Sequence, residues 1–146
     1  MLSFITILLL ALPELVVQKG NTQENAHVKF DIRLASTTIA QGGAGKIILY
    51  LTPNEGIHIN TDPAMEFEFE KQPFIYCTGM TSLPTNTKTG YLIPEKPIQY
   101  SFTLDKKISK GKHSLKGSVR YFFCSDTEGW CNRFVQPIDL HFTVTR

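Results

Sequence analysis

Cys124 and Cys131 are the residues of this chain best suited to chemistry. They enclose Ser-Asp-Thr-Glu-Gly-Trp, a polar loop with one glycine, and they sit between two strand-like segments, residues 115–123 and 136–144. Joined as a disulfide they would close a loop of about eight residues, which in the chain-entropy picture stabilises by roughly 2.5 kcal/mol. A disulfide at a strand end is also a place where an attacking thiolate can reach sulfur. Spacing alone leaves both a staple and a redox centre open. Phe123 and Trp130 flank the pair, either as packing at a sandwich edge or as a contact patch for a thiol-protein partner.

The third cysteine, Cys77, follows Phe74-Ile75-Tyr76. Three cysteines leave one unpaired after a single disulfide, and apolar neighbours predict that Cys77 is a buried, inert thiol. A metal set built from Cys77, Cys124, Cys131 and one of His58, His113 or His141 has neither CxxC nor HxxxH spacing behind it. His58, Met65 and Met80 would suit copper, but each histidine lies in or beside a strand and reads as a surface or satisfied residue. No metal and no cofactor is expected. There is no Ser-His-Asp constellation, no phosphate-cradling glycine loop and no nucleophile elbow. Glu66, Glu68 and Glu70 alternate with Met65, Phe67 and Phe69, which describes a solvated strand face rather than a paired-carboxylate site. Lys106, Lys107, Lys110 and Lys112 bracket Gly111 as a solvated hairpin tip, and a net charge of +2 gives no basis for nucleic-acid binding.

These side chains need a scaffold, and period-two alternation supplies it. Val28, Phe30, Ile32 and Leu34 alternate with Lys29, Asp31 and Arg33; Ile98, Tyr100, Phe102 and Leu104 alternate with Gln99, Ser101 and Thr103. Further strands are expected at 47–51, 57–60, 65–70, 72–78, 115–123 and 138–144, separated by turns such as Pro53-Asn-Glu-Gly56, with residues 79–90 as a loop. About eight strands without an amphipathic helix predict an all-β, immunoglobulin-like antiparallel β-sandwich, with a closed barrel as the second choice. A length of 146 residues is that of one domain, and 42% apolar residues are enough for its core.

Residues 2–12 are almost wholly apolar. Such a run is too short to span a bilayer and suits the apolar part of an export signal. The expected organisation is a signal peptide with a loose polar leader over residues 1–26, followed by one soluble domain over 27–146. Export to an oxidising compartment makes a Cys124–Cys131 disulfide chemically reasonable.

The run Tyr121-Phe-Phe-Cys-Ser-Asp-Thr-Glu-Gly-Trp-Cys131, with Pro137 after it, resembles the end of the N-terminal periplasmic domain of the thiol:disulfide interchange protein DsbD. Gly56-Ile-His-Ile-Asn60 with Pro63 is similar to an earlier segment of that family, so the likeness covers residues 27–144. The resemblance implies an immunoglobulin-like sandwich in the periplasm that works as a component of a protein-disulfide reductase. Electrons would come from a membrane-embedded donor and pass to thioredoxin-like or other periplasmic thiol proteins. Cys131 would form the mixed disulfides and Cys124 would resolve them. The family shields its disulfide with an aromatic cap, a part that would fall to Tyr91 in the stretch 84–91. The family's membrane and thioredoxin-like domains have no counterpart in this sequence, so the donor is expected to be a separate chain. The alternative is a non-catalytic immunoglobulin-like binding module whose disulfide is a staple.

Overall fold

The computed structural model describes residues 24–146, so the apolar run and most of the polar leader lie outside the described residues. Nine strands follow in order: β1 Val28–Leu34, β2 Thr38–Ala40, β3 Ala44–Pro53, β4 Ile57–Asn60, β5 Glu66–Phe69, β6 Ile75–Ser82, β7 Ile98–Leu104, β8 Gly111–Ser125 and β9 Cys131–Thr145. No helix occurs among the described residues. One sheet has the order β1-β3-β7-β6, and the other β2-β9-β8-β4 with β5 also paired to β8. All pairings are antiparallel except the short β2–β9 contact. Inward-facing residues of the two sheets pack against each other, with Leu49, Leu51 and Ile98 meeting Val119, Tyr121 and Ile138. The fold is an all-β sandwich.

Alternation predicted the strands well where one face is core and the other water. β7 buries Ile98, Tyr100, Phe102 and Leu104 in strict alternation. Three details differ from expectation. β2 is only three residues long, too short to show a period. β6 runs on to Ser82, through Gly79 and Thr81, because bulges absorb residues that break the pattern. The end of the polar leader is fastened rather than loose: Asn25 Nδ2 donates to the Tyr121 hydroxyl at 3.0 Å, and Asn54 Nδ2 donates to the Ala26 carbonyl at 3.0 Å.

Two core positions give direct tests. Gly45 faces Phe102 across β3 and β7, and a Cβ there would stand 2.1 Å from the ring. Phe102 is fully buried and cannot move aside. Gly45→Ala should therefore destabilise by about 1–3 kcal/mol, read as a lower urea midpoint at an unchanged slope. Tyr121 is also fully buried, and loss of solvent pushes its phenol above the ordinary range, with the Asn25 hydrogen bond partly opposing. A raised folded value means stability that is present below the ordinary tyrosine value of about 10 and lost as pH climbs through the folded one. Tyr121→Phe should cost about 1 kcal/mol at neutral pH. Its stability should fall less than that of the unsubstituted protein when denaturation is repeated under strongly alkaline conditions.

Candidate functional site

β8 and β9 form a hairpin whose register sets Cys124 directly opposite Cys131. The two are disulfide-bonded, with Cα atoms 4.1 Å apart. The turn beyond them follows from its residue types. The Ser125 carbonyl accepts from Gly129 N at 3.1 Å, and the Ser125 hydroxyl accepts from Glu128 N at 3.1 Å. Gly129 takes φ 71°, where a side chain would be strained, and the chain re-enters the ladder with Ser125 N donating to the Trp130 carbonyl. A second glycine turn braces the first: Asp126 N donates to the Gly56 carbonyl at 2.9 Å.

The two sulfurs differ in environment. Cys124 is 4% exposed, whereas Cys131 is exposed. The difference arises because β4 lies beside β8 and not beside β9. His58 of β4 is the register partner of Cys124, and Asn60 that of Phe122. Asn60 Nδ2 donates to Cys124 Sγ at 3.0 Å. His58 Nδ1 contacts the Asp126 carboxylate, tying β4 to the loop between the cysteines. The segment after β6 adds a partial outer layer, since Tyr91 bridges to Asn60 and Leu92 N donates to the Ile59 carbonyl at 2.8 Å. Tyr91 stacks on His58 with ring centroids 3.7 Å apart. Tyr91 therefore belongs to the same sheet face as the Cys124 side of the disulfide.

The two flanking aromatics have unequal access. Phe123 is 4% exposed and packs in the core with Tyr121, so it offers no contact surface; this corrects its placement as a partner contact. The reason is alternation. Val119, Tyr121 and Phe123 point inward, which turns Phe122 and Cys124 outward. Trp130 is half-buried, edge-on to Phe123 and beside His27, with its indole N–H donating to Glu128. The outward neighbours that sequence reasoning passed over are Asn60, Asp126 and Phe122. The alternation of residues 115–123 held the signal for Phe122; nothing in the sequence placed Asn60 at sulfur.

Cys77 is exposed, not buried. Its apolar neighbours Phe74 and Tyr76 are themselves 40% and 54% exposed, because β6 is the edge of its sheet and has a strand on one side only. It lies in the other sheet from Cys124 and Cys131, so the three thiols do not gather. Among the described residues no group of three or more His, Cys, Asp or Glu is placed to hold a metal ion. Glu66 pairs with Arg120, and Glu66 and Glu68 are exposed as a solvated face should be. No helix among the described residues is long and apolar enough to cross a membrane. No protein-family model matches the chain, and no curated protein matches it in sequence.

Cys77 gives the site's control experiment. Partial burial of its sulfur pushes the thiol up, and the influence of Tyr100 partly opposes this. An exposed thiol that stays protonated reacts completely but slowly. Alkylation of the native protein should label Cys77 alone, with a rate that is still rising above the ordinary thiol value of about 8.5. Mass mapping of the adducts reads the outcome.

Proposed function

We propose that the domain is a thiol:disulfide exchange module that works through Cys124 and Cys131, in the manner of the N-terminal periplasmic domain of DsbD. The observation that carries this reading is the asymmetry of the disulfide: Cys124, on β8 beside β4, is a buried residue, and Cys131, on β9, is an exposed one. Exchange proceeds by in-line attack of a thiolate on one sulfur with departure of the other, so a bond with a single accessible end suits it. A staple needs no accessible end, and here the β8–β9 ladder already holds the two strands together without the bond. The half-buried Phe122 and the exposed Val135 on the same outward face supply apolar area for a partner. An immunoglobulin-like topology, export to the periplasm, thioredoxin-like clients and a separate membrane-embedded donor complete the proposal by analogy with that family.

In this mechanism a partner thiolate approaches Cys131, the bond to Cys124 breaks, and a mixed disulfide forms at Cys131. A second partner thiol then displaces Cys131, leaving both cysteines of the domain reduced and the partner oxidised. Tyr91 and His58 limit approach from the Cys124 side.

Trapping tests the proposal. Because Cys77 is exposed, each variant carries Cys77→Ser. Cys124→Ala removes the resolving thiol and should accumulate a disulfide-linked partner through Cys131, isolated from the periplasm of the host without reductant. Cys131→Ala should trap far less. A staple predicts instead that both substitutions destabilise by a similar amount, about 2–3 kcal/mol, and that neither captures a partner.

A further inference from the structure

Exposure explains which sulfur can be reached, but not which sulfur leaves well. From the contact at Cys124 we infer a further catalytic residue: Asn60 stabilises Cys124 as the departing thiolate and so directs exchange to Cys131. The inference rests on the exchange reading above.

Only one side-chain donor in the described structure reaches either sulfur, and that is Asn60 Nδ2 at 3.0 Å from Cys124 Sγ. The donor is held from several directions. Asn60 is in β4 and bridges to Tyr91. The neighbouring Thr61 N donates to the Gly90 carbonyl at 3.2 Å, and Leu92 N donates to Ile59, so β4 is clamped between β8 and the Tyr91 segment. A fixed neutral donor favours the charged form of whatever it touches, and most strongly away from solvent. The oxidised sulfur is a weak acceptor and gains little; the thiolate formed when the bond breaks gains much more. The hydrogen bond is therefore worth most after departure has begun, which is the condition for lowering a barrier.

The electron balance is simple. A dithiol protein, as the reductant, attacks Cys131 Sγ with one thiolate. The new S–S bond forms at Cys131, the Cys124–Cys131 bond breaks, and its electron pair stays on Cys124 opposite Asn60. The partner's second thiolate then attacks its own sulfur in the mixed disulfide and releases Cys131. Each released thiolate takes up a proton as its pKa and the pH require. In reverse, the same Cys124 thiolate is the resolving nucleophile, with Asn60 Nδ2 as its hydrogen-bond donor. The titratable groups near Cys124 are His58 opposite it on β4, Asp126 and Glu128 in the loop, Tyr91 on the covering segment, and Arg133 two positions past Cys131 on β9. All are unchanged when Asn60 is replaced.

Two measurements test this. In Cys77→Ser with Cys131→Ala, Cys124 is the single thiol, and its ultraviolet thiolate absorbance reads the ratio of thiolate to thiol. Asn60→Leu should lower that ratio about tenfold at fixed pH, as loss of a charge-assisted hydrogen bond of modest strength requires. Asn60→Asp, nearly isosteric, places a carboxylate against the sulfur and should lower it at least as far; it serves if the leucine variant does not fold. In the Cys77→Ser protein with its disulfide intact, brief reaction with reduced glutathione should put the adduct on Cys131, and either Asn60 variant should spread adducts towards Cys124 and slow the reaction. An unchanged thiolate ratio in both variants overturns the role of Asn60, whether or not a partner is trapped by Cys124→Ala. A lowered ratio with no mixed disulfide to any dithiol overturns the exchange reading and with it the catalytic role, while the hydrogen bond remains. The two failures are thus distinct.

Discussion

The ladder between β8 and β9 is the constraint on which everything else in this domain depends. Its fourteen cross-strand pairs run unbroken from Gly111 and Val144 to Cys124 and Cys131. Because strand side chains alternate, one register sets both faces at once. Inward it delivers Leu115, Val119, Tyr121 and Phe123 beside Ile138, Leu140, Phe142 and Val144, which form one wall of the core. Outward it delivers Phe122, Cys124 and Cys131. A slip by one residue would send Tyr121 into water and draw the cysteines apart, so core burial and the position of the disulfide are secured by the same free energy.

β4 contributes what the hairpin lacks. It is only four residues long and buries one of them, Ile59, fully. Its outward residues, His58 and Asn60, meet the loop carboxylate and the Cys124 sulfur respectively. The turn at Gly56, with φ 74°, aims the strand along β8, and its carbonyl is the one that Asp126 N engages. One short strand and its turn thus leave the cross-strand disulfide with a buried cysteine at one end and an exposed cysteine at the other.

Much of this could be read from the residues in order, and the exceptions have physical causes. Half-buried strands such as β1 and β7 announce themselves because water and core impose opposite demands on successive side chains. The cysteine pairing was legible because hairpin partners are close in sequence. The position of Cys77 is not legible from its apolar neighbours, because on an edge strand such neighbours do not mean burial, as exposed Phe74 and Tyr76 demonstrate. Proximity to Cys124 does not make Phe123 a contact residue, because consecutive residues in a strand face opposite ways. Asn60 and Asp126 belong to a site assembled across 64 and 68 residues of chain, and no local pattern encodes such a meeting.

The separation of partners along the chain also has a consequence for assembly. The cysteines are seven residues apart and meet as soon as a hairpin closes, whereas β4 reaches β8, and β2 reaches β9, only across long loops whose closure is entropically slower. Sulfur can therefore be oxidised in a chain that has not yet formed its sandwich, with both ends of the bond equally open. The inequality between Cys124 and Cys131 arrives later, when β4 docks. If the disulfide exchanges as proposed, its selectivity is then a property of the completed fold alone, and an immature chain carries the same bond without its direction.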